Sequence, residues 1–104
     1  MDGSIEYGAY KSELMEKFRL ELPVLRAKAR ISQEELSAKV GISRQTYSGI
    51  ETGRREMTWT VFLALWSFFQ LNLSTKDLLE SAYDFSNDIS KIVNYTKDST
   101  ETIF

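Results

Sequence analysis

The stretch from residue 31 to residue 55, ISQEELSAKVGISRQTYSGIETGRR, constrains the fold more than any other part of the chain. Ser32 followed three residues later by Glu35 is the pattern of a capping box, which predicts the start of a helix. That helix is expected to run to Val40 and to stop at Gly41, because glycine takes a left-handed conformation without steric strain. The glycine therefore predicts a tight turn at this point.

A second short helix is predicted directly after that turn. Ser43 is a natural N-cap, and the helix is expected to end near Thr52 and Gly53. Apolar residues at helical spacing would give the two helices and their turn an inward face: Leu36, Val40, Ile42, Tyr47 and Ile50. Two helices joined by a short turn that contains glycine form a helix-turn-helix motif.

Helical spacing of apolar residues also precedes the motif. One face there consists of Leu14, Phe18, Leu22, Leu25 and Ala29. Pro23 lies inside this pattern and leaves two alternatives open. Either a first helix kinks at Pro23, or an N-terminal helix ends and a new helix begins there.

Three further helical segments are predicted after the motif. Thr58 is expected to cap an apolar fourth helix that ends near residues 70–72. Ser74 with Asp77 repeats the capping pattern and is expected to open a fifth helix. A sixth helix in the tail would carry its apolar residues at helical spacing: Phe85, Ile89, Ile92 and Val93.

The expected architecture is therefore all-α. Residues 1–80 would form one domain of five helices, with the motif at residues 32–53. Residues 81–104 would be a short C-terminal extension, either a dimerisation element or a partner-binding tail. Its polar part, residues 96–102, is expected to be frayed.

The composition excludes several kinds of active site. The 104 residues include no cysteine and no histidine, which removes zinc sites of the Cys/His type, thiol nucleophiles and histidine-based serine triads. No metal, cofactor or enzymatic activity is expected, and the carboxylates of the tail region are expected to be solvated: Asp84, Asp88, Asp98 and Glu101. The lack of cysteine fits a reducing cytoplasm, and no signal-peptide pattern opens the chain, so a cytoplasmic location is expected.

We expect the uncharged run from Met57 to Ser74 to contain a buried core helix. Its strongly apolar part, Trp59 to Phe69, spans about 11 residues, and a bilayer requires about 20. The aromatic residues in it cover more than one helix face, so the excess is expected to meet the tail helix or a second subunit. They are Trp59, Phe62, Trp66, Phe68 and Phe69. No membrane partner is expected.

The charge is unevenly distributed along the chain, although the total is only −2. Residues 24–56 contain seven Lys/Arg and four Asp/Glu, a net of +3. Residues 1–23 have three against five, a net of −2, and residues 74–104 have three against six, a net of −3. The positive charge therefore coincides with the motif, as expected for a local nucleic-acid footprint.

The side chains that face outward at the start of the motif's second helix are suited to reading DNA bases. Arg44 can bind guanine at two points, Gln45 can do the same with adenine, and Thr46 can contact a thymine methyl group. Ser48 lies on the same face. Gly49 is expected to leave a gap there that permits close approach to DNA, and the helix N-terminus at Ser43 favours phosphate.

The region from about Leu22 to Leu79 resembles the lambda Cro/repressor-type, or Xre, family of bacterial helix-turn-helix regulators. Four segments carry the resemblance: Ser32-Gln-Glu-Glu-Leu36, Gly41-Ile-Ser43, Arg44-Gln-Thr46 and Ile50-Glu-Thr-Gly53. It implies a five-helix, lambda repressor-like DNA-binding domain.

The resemblance also implies roles for individual residues. Gln33 matches a phosphate-contacting glutamine, and Arg54 with Arg55 falls in a loop that grips the DNA backbone. Arg26 and Glu51 match an ion pair that orients the recognition helix. The base-facing positions are matched by Arg44, Gln45 and Ser48, with Thr46 beside them.

The sequence departs from the family pattern at four positions. Pro23 within the first helix is not the common pattern and leaves the geometry of that helix open. Ser37 replaces a usual alanine, which is expected to alter the helix crossing slightly. Gly49 replaces a longer contacting residue, so readout is expected to use fewer side chains. Tyr47 stands where a smaller aliphatic residue is frequent, and its hydroxyl is expected to reach a phosphate.

The expected function is sequence-specific binding of a double-stranded DNA operator by a transcriptional regulator of a bacterium, phage or plasmid, with residues 43–52 in the major groove. A homodimer would read half-sites about one turn apart. The alternative is an antitoxin that represses its own operon and binds a toxin through the acidic, apolar-spaced tail.

Overall fold

The computed structural model of the protein describes the backbone of residues 3–83 and 85–94, and side chains over residues 8–81 and 87–94. Over this part the chain is all-α and has no strand, which confirms the predicted fold class. The helices are α1 (Gly3–Ala29), α2 (Gln33–Val40), α3 (Arg44–Thr52), α4 (Trp59–Leu71), α5 (Lys76–Leu78, continued by a π-helical turn over Leu79–Tyr83) and α6 (Phe85–Val93). The polar segment at residues 96–102 lies outside the described residues.

α1 is one continuous helix of 27 residues that passes through Pro23. The alternative of two separate helices is therefore wrong. Proline cannot donate a hydrogen bond to the preceding turn, but Pro23 lies on the exposed face, where that turn is open to solvent. Leu22 and Leu25, on either side of Pro23 in the sequence, are 0% exposed. Their packing in the core keeps the chain helical across the proline.

The predicted caps of the motif are confirmed. The Ser32 hydroxyl accepts the Glu35 N–H at 3.0 Å, and the Glu35 carboxylate accepts the Ser32 N–H at 2.9 Å. Gly41 ends α2 with a φ of 85°, in the left-handed region. Ser43 caps α3 by accepting the Thr46 N–H at 3.0 Å. These local bonds fix both ends of the turn between α2 and α3.

The α4–α5 junction differs in part from the prediction. Thr58 caps α4 as expected, accepting the Val61 N–H at 3.2 Å. Ser74 does not cap α5, because its own N–H donates to the Asn72 side chain at 2.9 Å in the turn that follows α4. The neighbouring Thr75 precedes α5 instead, fully buried, with its hydroxyl donating to the Phe69 carbonyl at 2.7 Å. That bond ties the junction to the end of α4.

A single core joins α1, α2, α3, α4, the π-helical turn after α5, and α6. α1 buries the predicted face, and Phe18 meets Phe62 of α4 edge to face, with ring centroids 5.0 Å apart. Phe62 and Phe69 are 0% exposed, whereas the other aromatic side chains of α4 are only partly buried: Trp59, Trp66 and Phe68. The core comprises Leu14, Phe18, Leu22, Leu25, Leu36, Tyr47, Ile50, Met57, Phe62, Leu65, Phe69, Leu79, Ile89 and Ile92.

The predicted tail helix is present as α6, and it packs on α1. Ile89 and Ile92 are buried, while Val93 is 61% exposed. The Tyr10 hydroxyl of α1 donates to the Asp88 carboxylate at 2.9 Å, so one carboxylate expected to be solvated has a partner. Asp84, Asp98 and Glu101 lie outside the residues whose side chains are described. None of the described helices is long and apolar enough to cross a membrane.

Two leucines of α1 provide a matched test of this packing. Leu22→Ala should lower the free energy of unfolding by about 2–5 kcal/mol, because it empties a fully buried site. Leu20→Ala changes the same atoms where the side chain is 59% exposed, and should cost under about 1 kcal/mol. Urea unfolding followed by circular dichroism measures both; equal losses would contradict the assignment of the α1 core face.

Candidate nucleic-acid interface

α3 has one buried and one exposed side. Tyr47 and Ile50 face the core at 0% and 1% exposed, whereas Arg44 and Gln45 in the first turn are exposed. Tyr47 and Ile50 share the buried side because residues three apart lie on one face of a helix. The first turn of α3 is therefore free to contact another molecule while the rest of the helix is fixed.

The fixed end of α3 is held by a polar network around the Glu51 carboxylate. The Arg26 guanidinium of α1 donates from Nε to Oε2 at 2.9 Å and from Nη2 to Oε1 at 3.1 Å. The Gln33 amide of α2 donates to Oε1 at 3.0 Å, and the Tyr47 hydroxyl donates to Oε2 at 2.7 Å. The Arg26–Glu51 ion pair implied by the family resemblance is confirmed, and it joins α1 to α3. With Gln33, the network also includes α2.

The network changes the acidity of two of its groups. Burial by itself would raise the pKa of Glu51, but the hydrogen bonds from Arg26, Tyr47 and Gln33 outweigh it and bring this pKa below its usual range. Burial, and then the hydrogen bond to Glu51, raise the pKa of Tyr47. The carboxylate is therefore charged and the phenol neutral at neutral pH.

Tyr47 does not have the role predicted for its hydroxyl. The side chain is 0% exposed, and its hydroxyl donates to Glu51 inside the network. A phosphate cannot reach a fully buried group, so the expected phosphate contact is wrong. The larger residue instead supplies an internal hydrogen bond that a small aliphatic side chain lacks.

Gly49 does not form the predicted gap on the exposed side either. It is buried, and a Cβ added to it would lie 3.2 Å from the Cβ of Arg55. The chain folds back after α3, and the Arg55 N–H donates to the Gly49 carbonyl at 3.0 Å. The missing side chain thus makes room for the protein's own loop rather than for DNA.

Arg19 of α1 is a contributor that the sequence interpretation missed. Its Nη1 donates to the Glu51 carbonyl at 3.2 Å, and its guanidinium also pairs with Glu16. A Cβ added to Gly53 would lie 3.3 Å from the same Nη1, so the left-handed glycine at φ 82° lets Arg19 reach the end of α3. The signal was its spacing: Arg19 and Arg26 are seven residues apart, two turns along one side of α1.

The structure brings four of the predicted DNA-contacting residues together. Arg44, Gln45, Ser48 and Arg54 line one shallow cavity of about 320 Å³ on the exposed side of α3. Within the described part of the chain, the side chains of Arg44, Gln45 and Ser48 form no hydrogen bond with another residue. These groups therefore remain available to a ligand.

The other four predicted residues do not line this cavity. Ser43 and Thr46 are occupied by the helix cap, with the Ser43 hydroxyl donating to that of Thr46 at 2.9 Å. Gln33 is joined to Glu51 at the start of α2. Arg55 lines a different cavity, of about 470 Å³, between α1 and the loop after α3. Ser37, which the sequence singled out, is buried and bonded to the Glu34 carbonyl at 3.0 Å.

A capped helix, a glycine turn and a second helix held across it by buried contacts define a helix-turn-helix protein. The chain matches the helix-turn-helix domain family over residues 18–79, which is more than half its length, and it belongs to that family. This agrees with the resemblance to Xre/Cro-type regulators. Comparison with curated proteins and with solved structures gave no match.

The described residues offer no cluster of three or more acidic, cysteine or histidine side chains that could hold a metal ion. The chemistry available on the exposed side of α3 is instead that of hydrogen-bond donors and positive charge. Membership of the helix-turn-helix family suggests DNA binding.

Glu51 gives the fold a defined dependence on pH. Because its pKa in the folded state is lowered, its stabilisation is complete above the unfolded value near 4.5 and is lost as the pH falls through the folded value. Glu51→Gln should lower the free energy of unfolding by about 1–3 kcal/mol near pH 7. The loss should shrink below about pH 4. Glu56→Gln, an exposed neighbour, is the control. Urea unfolding across this range measures the effect, and a loss independent of pH would contradict it.

Proposed function

We propose that the protein binds double-stranded DNA in a sequence-specific manner, with the first turn of α3 in the major groove, and regulates transcription. The observation that carries the proposal is the cluster of exposed Arg44 and Gln45 with half-buried Ser48, whose side chains have no hydrogen-bond partner among the described residues, on a helix that is otherwise fixed. A fixed helix suits base recognition because its backbone is already in place when the exposed side chains bind.

The side chains divide into base-reading and phosphate-binding groups. Arg44 would bind the guanine edge at two points, and Gln45 the adenine edge. Gln33 uses one amide hydrogen on Glu51, which leaves the second for a phosphate beside α2. Arg55 would contribute a phosphate contact from the loop after α3. The phosphate contacts would set the register in which α3 meets the bases.

Ion pairs within the protein determine which basic side chains are available to bind DNA. Among the basic residues of the stretch 24–56, Arg26 is neutralised by Glu51, and it is not available to DNA. Arg44 and Arg54 remain on the exposed side of α3, and a locally positive surface attracts the phosphate backbone even though the whole chain is acidic.

The tail supports regulation by DNA binding better than it supports the antitoxin alternative. The apolar spacing that suggested a toxin-binding surface includes Ile89 and Ile92, and both are buried against the protein's own core. A homodimer that reads two half-sites fits the class of protein and stays part of the proposal.

Selection of bound sequences from random duplex DNA tests the proposal directly. We expect an enriched motif whose affinity falls steeply with salt. Arg44→Ala should cost about 1–3 kcal/mol and relax the preference at one base pair, since a two-point contact is lost. Lys91→Ala removes an exposed charge on α6 and should leave both affinity and motif unchanged. Absence of salt-dependent duplex binding by the unaltered protein would refute the proposal.

A further inference from the structure

We propose that Arg54 reads a base in the major groove rather than a phosphate, and that Thr52 is the residue that positions it. This inference rests on the proposed DNA-binding function. The family resemblance places Arg54 and Arg55 together in a backbone-gripping loop, but their surroundings in this structure differ.

The two neighbouring arginines separate because the chain folds back over Gly49. The Arg55 N–H donates to the Gly49 carbonyl at 3.0 Å, and the Arg55 side chain lies across that glycine. Arg55 lines the cavity shared with α1 only, whereas Arg54 borders that cavity and also the one formed by Arg44, Gln45 and Ser48. Arg54 is therefore beside the predicted base-reading residues.

Thr52 holds the Arg54 guanidinium at this place. The Arg54 Nε–H donates to the Thr52 hydroxyl oxygen at 3.1 Å. The same hydroxyl donates its proton to the α3 backbone, at 2.9 Å to the Ser48 carbonyl and 3.3 Å to the Gly49 carbonyl. Because the proton points into the helix, an oxygen lone pair faces Arg54.

This geometry leaves the recognition edge of the guanidinium free. Arginine has five N–H donors in a fixed plane, and only the Nε–H is used by Thr52. The four hydrogens on the two terminal nitrogens can meet an acceptor pair, and guanine presents such a pair, O6 and N7, in the major groove. The same fork can also bind a phosphate, so the observation that favours a base is the position of Arg54 beside Arg44, Gln45 and Ser48.

The test compares Arg54→Ala, Arg54→Lys and Arg55→Ala in binding to the selected duplex and to single-base variants of it. Arg54→Ala should lower discrimination at one guanine-containing base pair by roughly ten- to a hundred-fold, and leave the other positions unchanged. Arg54→Lys should lose most of that discrimination although it retains the charge. Arg55→Ala should weaken binding to every duplex equally and reduce the salt slope by about 1.

The positioning role of Thr52 is tested by a measurement that a purely structural role would leave unchanged, the discrimination between base pairs. Thr52→Val keeps the branched shape and should reduce discrimination at the same base pair without changing the salt slope. Thr52→Ser restores the hydroxyl and should recover it. Circular dichroism confirms that both variants are folded.

The role of Arg54, the role of Thr52 and DNA binding itself are overturned by different results. If Arg54→Ala weakens binding uniformly and lowers the salt slope, as a phosphate ligand would, the inference about Arg54 is overturned while DNA binding stands. If Thr52→Val leaves discrimination intact, the positioning role is overturned. If the unaltered protein binds no duplex, the proposed function itself has failed.

Discussion

The orientation of α3 depends on one charged group, the Glu51 carboxylate, whose side chain is only 9% exposed. An ion removed from water is costly unless hydrogen bonds replace its hydration. Here Arg26, Gln33 and Tyr47 supply them, one from each of the three helices that meet at the motif. Apolar packing alone tolerates small rotations of a helix, whereas three directed bonds from α1 and α2 to the two carboxylate oxygens do not. The network therefore sets the angle at which α3 projects from the domain.

Local signals in the sequence predicted most of the helices. A cap such as Ser32 with Glu35, or Thr58 before α4, depends on bonds within one turn, so the residues involved are close in the sequence. The prediction that Ser74 caps α5 was wrong because two adjacent hydroxyl residues, Ser74 and Thr75, could begin that helix. The choice was made by burial of Thr75 against the end of α4, which is a tertiary contact. Pro23 was undecidable for the same reason, since flanking core contacts determine whether a helix continues through proline.

The site was less predictable than the scaffold. The exposed positions of α3 follow from helical periodicity, so Arg44 and Gln45 could be identified from the sequence alone. Gly49 and Tyr47 were misjudged because their surroundings depend on residues elsewhere in the chain. The returning loop covers Gly49, and the Glu51 carboxylate satisfies the Tyr47 hydroxyl. The role of Gln33 in supporting α3 likewise appears only when the helices are assembled.

The separation of α3 into a fixed end and an exposed first turn has an evolutionary consequence. Residues 47, 50 and 51 support the fold, and substitutions there would disturb α1 and α2 as well. The side chains of residues 44, 45 and 48 form no hydrogen bond with the described part of the chain. Duplicated copies of such a chain could therefore diverge in these exposed side chains one at a time, with each intermediate still folded. Under the proposed function, the same scaffold would then supply a cell with several regulators that do not compete for one another's sites.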